Sequence, residues 1–290
     1  LERFGRQVDD RDRPLSGAEG LCVLADRNDL VLIDKPRPHT TVITLNRPDK
    51  ANAMNSPMWQ ELQICFEWLD SEPEVRAVIL AARGKYFCAG IDLSNFTNSQ
   101  EGGDRKLETR THGNTNKFQE VAFQWRRLGV PVIAAVHGVC FGGGLQIASG
   151  ADIRIIHPET RMAVMEMKWG LVPDMGGYAL WRGLVRDDML RELVYTNRQF
   201  TGDEALEYGL ATFVDSDPHA RATAIATEIA NRNPHAIRAA KRLHNKMADA
   251  GNDTLLMEES LEQHAIMRTK NQIEAVMAGM AKRAPHFDDV

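Results

Sequence analysis

Two carboxylates eight residues apart, Glu166 and Asp174, are the strongest candidates for acid–base chemistry in this chain. Glu166 stands in AVMEMKWGLVPDMGG among Val164, Met165, Met167 and Trp169. Such surroundings strip water from a carboxylate and push its pKa toward the ~6–7 useful for proton transfer. Asp174 follows Pro173 and precedes Met175-Gly176-Gly177, where a helix is expected to start. Each has a plainer alternative: Glu166 facing solvent beside Lys168, and Asp174 capping that helix. Two glycine corners could serve a developing negative charge. Gly142-Gly143-Gly144 enters a helix after a buried strand, and bare N–H groups at a helix N-terminus suit an anion or oxyanion. Its alternative is a tight turn that uses the freedom of glycine at positive φ. The second corner is YFCAGIDL (86–93), where Ala89 and Gly90 allow close approach of a ligand to the backbone. Losing one oxyanion donor costs about 2.7–4 kcal/mol of transition-state stabilisation, so two corners on one carbonyl oxygen would be a large catalytic resource. Gln146, three residues after Gly143, shares its helix face and could touch the bound group or a neighbouring backbone group.

Other chemistries fit less well. The glycine run matches neither GxGxxG nor GxxxxGK[ST], no GxSxG elbow is present, and no HxxxH or HExxH pairing suggests a metal. The four cysteines, Cys22, Cys65, Cys88 and Cys140, are scattered without a CxxC pair, so neither a disulfide framework nor a zinc site is expected. A reducing, cytoplasmic setting follows. Lys and Arg number 35 against 40 Asp and Glu, a net charge of −5 that argues against nucleic acid or an anionic membrane as main partner. The apolar stretch 130–141 is broken by Pro131 and His137 and is too short to span a bilayer, and the first residues lack an apolar signal core.

The elements that must position these groups read as an α/β protein. Residues 1–28 form an N-terminal arm, 29–186 an α/β core and 187–290 a helical region, in which five segments show the 3.6-residue period and no strand run exceeds a few residues. Runs 30–34 and 40–45 predict a hairpin with Pro36 and Pro38 confined to the turn. A helix follows over 57–70, capped by Asn55 or Ser56, then a strand over 75–82 buried on both faces. The polar stretch 94–117 predicts a long loop, of the kind that borders functional pockets. A helix (118–128), a buried strand (131–136), a glycine turn (138–144), a helix (144–150) and a strand (152–156) complete the strand–turn–helix rhythm.

Taken together, LNRPDKANAMN (45–55), YFCAGIDL (86–93), IAAVHGVCFGGGLQIASGADIRI (133–155), MEMKWGLVPDMGG (165–177) and FTGDEALEYGLATFV (200–214) resemble the enoyl-CoA hydratase/isomerase, or crotonase, superfamily. The resemblance spans roughly 29–280. It implies a spiral of ββα repeats with a helical C-terminal region for trimerisation and active-site cover, assembled as a homotrimer or dimer of trimers. It also implies a CoA thioester substrate and no cofactor beyond the CoA that the substrate carries. Matched by position, the oxyanion donors are the N–H groups of Ile91 and Gly143. Ala53, Ala89 and Asp92 lie along the CoA path, Lys85 is a candidate for CoA phosphate, and Gly90, Gln146 and Pro173 complete the substrate contacts. Hydratases of the family place glutamates at positions 146 and 166. Here Gln146 is an amide that can orient water but cannot take its proton. Dienoyl-CoA isomerases resemble the chain better, with Glu at 166 and Asp at 174, although they usually carry Asp at 146. Double-bond isomerisation by Glu166 and Asp174 is therefore the leading expectation. Hydration of a 2-enoyl-CoA by Glu166 is second, and a non-catalytic acyl-CoA or RNA binder is a distant third.

Overall fold

The computed structural model describes residues 28–92, 94 and 106–290. The expected N-terminal arm lies outside the described residues apart from Asn28, and so does much of the expected 94–117 loop. The rest of that loop, 106–116, is a series of turns held by a bridge between His112 and Thr115.

A six-stranded sheet has the order β1 (Val31–Arg37), β2 (Thr40–Leu45), β3 (Ala77–Ala82), β4 (Val132–Val136), β6 (Ile153–Ile156), β8 (Phe213–Val214). Only β1 and β2 are antiparallel; every later pairing is parallel. The predicted hairpin forms, with one correction. Pro36 lies inside β1 rather than in the turn, which the edge position and a register shift between Asp34 and Arg37 make tolerable. The all-apolar runs are buried on both faces, and their period of two sorts them. Val78, Leu80, Val132, Ala134 and Val136 enter one core, while Ala77, Ile79, Ala81, Ile133 and Ala135 enter a second. The second core is closed by Ala222 and Ala226 of α7 (Pro218–Ala230). The region 187–290 is thus not helical alone: it also contributes β8 to the sheet edge.

The first core is covered by α1 (Ser56–Ser71), α2 (Lys117–Arg127) and α3 (Gly143–Gly150). Asn55 caps α1 by accepting the Met58 N–H at 3.1 Å, and Asn116 with Gln119 makes a capping box on α2. Further helices among the described residues are α4 (Gly177–Trp181), α5 (Asp187–Thr196), α6 (Gly202–Tyr208), α8 (Pro234–Met247), α9 (Asn252–Ile266) and α10 (Lys270–Ala281).

The expected glycine turn at 138–144 contains a strand instead. Here β5 (Val139–Phe141) pairs in parallel with β7 (Arg161–Ala163), and Cys88 bridges in parallel to Cys140 on its other side. Cys88, Cys140 and Met162 therefore lie side by side in a small second sheet. Each segment leaves it at the same end, and each exit delivers one part of the candidate site.

Candidate active site

The first exit is Ala89-Gly90-Ile91. The Met54 N–H donates to the Gly90 carbonyl at 2.8 Å, and the Asp92 N–H donates to the Met54 carbonyl at 2.9 Å. This pairing turns the intervening Ile91 N–H the other way, with no acceptor among the described residues. Asn52 fastens the segment that carries Met54. Its amide donates to the carbonyls of Arg83 and Tyr86 at 2.9 and 2.8 Å, and its oxygen accepts the Arg47 N–H at 2.7 Å.

The second exit is Gly142-Gly143. Gly142 has φ 50° and ψ −119°, a conformation that strongly favours glycine. Gly143 is the first residue of α3, so its N–H has no partner within the helix. The two corners touch: a Cβ on Gly90 would lie 3.0 Å from the Phe141 carbonyl oxygen and 3.7 Å from the Gly143 nitrogen. Ile91 and Gly143 both line one cavity of about 580 Å³. Two free N–H groups on a shared wall are a donor pair for a developing oxyanion.

The third exit runs from Ala163 through Met165 to Glu166, which opens a short 3-10 turn (Glu166–Trp169). Glu166 is 8 % exposed and lines the same cavity. It does not face solvent beside Lys168, whose ammonium instead lies 5.3 Å over the Trp169 ring. Oε1 of Glu166 accepts a 2.6 Å hydrogen bond from Nε2 of Gln146, while Oε2 is buried with no protein partner. Burial pushes the Glu166 carboxyl above its ordinary range. Its own backbone N–H and the Gln146 amide pull against this, and the negative charge of Asp174 pushes it further up.

Asp174 does not cap α4; that position is taken by Gly176 at φ 87°. As a residue Asp174 is exposed, yet the protein packed about its carboxyl is enough to raise its pKa too. Gln146 is fully buried and absent from the cavity wall. It reaches protein groups instead, because its Oε1 accepts the N–H groups of Met175 and Gly177, each at 2.9 Å.

Ala53, Ala89, Gly90 and Asp92 line the cavity with Ile91, Gly143 and Glu166. Asp92 makes an ion pair with Arg47 at 2.5 Å, and that hydrogen bond is the main reason its carboxyl is held down to about 2. Lys85 is exposed and, like buried Pro173 and Asp174, does not line the cavity. Sequence reasoning missed Lys50, Arg161, Lys168 and Gln199, which bring three cations and an amide to the wall. The spacing from Lys50 to Gln199 leaves no local pattern to find them by.

A family model for enoyl-CoA hydratase/isomerase matches residues 39–290. A mitochondrial Delta(3,5)-Delta(2,4)-dienoyl-CoA isomerase from Mus musculus is 30 % identical over 269 residues, covering 90 % of this chain and 82 % of that protein. A short-chain-enoyl-CoA hydratase from Clostridium acetobutylicum is 34 % identical over 245 residues, covering 83 % of this chain and 91 % of that one. The crystal structure of an enoyl-CoA hydratase from Bacillus anthracis superposes with a TM-score of 0.80 at 30 % identity, over 89 % of this chain and 98 % of that chain. With the mixed sheet and the glycine corners on one cavity wall, these matches settle the family: the chain is an acyl-CoA-processing enzyme and belongs to the enoyl-CoA hydratase/isomerase family.

Proposed function

We propose that the enzyme shifts the double bonds of an unsaturated acyl-CoA, with Glu166 and Asp174 as the proton-carrying pair. The observation that carries this reading is the state of Glu166: one oxygen is held by an amide, the other is buried without a protein partner, and the residue lines the cavity that Ile91 and Gly143 also line. A thioester carbonyl set between those donors has its α-proton acidified, because the charge left behind spreads onto the oxygen they stabilise. One carboxylate removes that proton and the other returns a proton at the far end of the conjugated system. Unlike environments tune two carboxyls into separate acid and base roles. Asp174 acts on the Glu166 charge and follows Pro173 on the loop that Gln146 tethers, which supports it as the second member. Hydration would have to rely on Glu166 alone to take a proton from water, because the amide at 146 cannot do so.

The reaction calls for no cofactor beyond the CoA moiety. Cavity-lining Lys50, Arg161 and Lys168 supply positive charge for its phosphates, and Ala53, Ala89 and Asp92 border its path. Exposed Leu256, Met257 and Leu261 on α9 and Ile273, Met277 and Met280 on α10 support assembly with further copies as a trimer or a pair of trimers. The buried free thiols of Cys65, Cys88 and Cys140 fit a reducing, cytoplasmic setting. Among the described residues, no helix is long and apolar enough to cross a membrane.

The test is to incubate the purified enzyme with a 3,5-dienoyl-CoA and, separately, a 2-enoyl-CoA, and to weigh the products. The expected result is a mass-neutral product from the dienoyl substrate with altered conjugated-diene absorbance. A product heavier by one water from the enoyl substrate, with no change in the diene, would assign hydration instead.

A further inference from the structure

A carboxylic acid can carry its proton on either oxygen unless its surroundings choose one. We propose that Gln146 is a positioning residue that confines the proton of Glu166 to Oε2, the oxygen without a protein partner, while tying Glu166 to the loop that bears Asp174. The inference rests on the reading of Glu166 as a proton carrier and adds which atom carries the proton and what selects it.

The argument turns on the orientation of one amide. The Gln146 oxygen accepts the N–H groups of Met175 and Gly177, both at 2.9 Å, and those backbone groups can only donate. Turning the amide over would set its NH2 against two further N–H donors in a fully buried place, where no water relieves the mismatch. The NH2 must therefore face Glu166, and it lies 2.6 Å from Oε1. An amide N–H cannot accept, so Oε1 stays an acceptor whether Glu166 is charged or neutral. A proton on Glu166 then belongs to Oε2, which is buried and has no protein partner. Gly142 packs against the other oxygen: a Cβ on Gly142 would lie 3.3 Å from Oε1 and 3.4 Å from the Met165 Cβ. The same Gln146 oxygen fixes the two N–H groups that follow Asp174, so one side chain sets the spacing of both carboxyl-bearing segments.

Other charges lie on the cavity wall or on the segments packed about Glu166. Asp174 acts on Glu166 from the tethered loop, Lys168 belongs to the 3-10 turn of Glu166, and Lys50, Asp92 and Arg161 line the cavity wall. None of these occupies the place of the Gln146 amide against Oε1, so replacing that amide isolates its contribution.

The test reads the carboxyl directly, in enzyme without substrate. Infrared difference titration follows the C=O stretch of protonated Glu166, assigned by its loss in Glu166→Gln. Gln146→Met removes the donor. Gln146→Glu keeps an acceptor for Met175 and Gly177, so it guards against a misfolded first variant. In the wild-type enzyme the stretch should lie low, because Oε1 accepts the amide hydrogen bond. It should rise in frequency in Gln146→Met. The Glu166 midpoint should rise in both variants, since a donor favouring the charged form is gone. In Gln146→Glu a second carboxyl faces Oε1, so the shift there should exceed about one pH unit. The acid limb of kcat/KM should follow the midpoint. An unmoved band and midpoint in both folded variants would overturn the proposal, even if kcat fell, because Gln146 would then be only a structural tether. Full turnover in folded Glu166→Gln would instead sink the proton-carrier reading, and the infrared result would still report on the amide.

Discussion

The edge where β1 meets α1 and the outer end of the small sheet each bury a glutamate, and they use it in opposite ways. Glu61 on α1 is 3 % exposed, and its two oxygens accept the N–H groups of Asn28 and Val31 at 2.8 and 2.9 Å. Both oxygens are bonded to backbone donors where the chain enters β1. Glu166 is 8 % exposed and has a single side-chain partner, leaving one oxygen unbonded in a residue that lines the cavity. Burial alone therefore does not mark a working carboxylate. The distinction is whether the protein satisfies every lone pair or withholds one.

The sharpest way to break this contrast is Glu166→Gln, which keeps shape and removes the proton. Turnover should fall by about 10²–10⁴-fold with the melting temperature unchanged or raised, as steady-state rates and calorimetry would show. Asp174→Asn should lower kcat by about 10²-fold if the two carboxyls share the transfer, again with the fold intact. A change confined to thermal stability would demote Asp174 to a loop residue. Glu61→Ala should do the reverse: about 1–3 kcal/mol of stability lost in urea titration, with the kcat of the folded fraction unchanged. The smallest effect is on the pH dependence of stability. Glu166 is raised above its ordinary 4.5, so the native state holds this proton to higher pH than the unfolded chain does. Stability should therefore decline as pH rises from about 4.5 toward the native value and level off beyond it. That decline should be shallower in Glu166→Gln, a difference that denaturant titrations at stepped pH would resolve.

How much of this could be read from residues alone depends on the range over which each feature is decided. The buried strands were legible because AVILAA and VIAAV are unbroken apolar runs, and α1 because Asn55 and Pro57 mark its start. The glycine corners were legible as corners, for a run of three glycines entering a helix has few uses. The small sheet was not: β5 and β7 are three residues each, too short for any period to register. Pro36 misled because a rule about central strands was applied to an edge. At the site, Glu166 stood out by its apolar neighbours, but the partners of Gln146 lie 20, 29 and 31 residues away and exist only once α3 docks beneath the loop. Lys50, Arg161 and Gln199 likewise meet only through the fold.

The packing round Gly142, Gly143 and Gly144 also has a genetic reading. A methyl group on Gly143 would fall 2.7 Å from the Met54 Cε and 2.9 Å from the Met175 Sδ, both in side chains with almost no exposure. On Gly144 it would fall 2.6 Å from the Cys88 carbonyl oxygen, and at Gly142 the left-handed φ of 50° already penalises any side chain. Any missense change in these three codons thus strikes the glycine corner or the wall behind it. Drift in this stretch of the gene is confined to the silent third position of each glycine codon, and the six other nucleotides are held by packing.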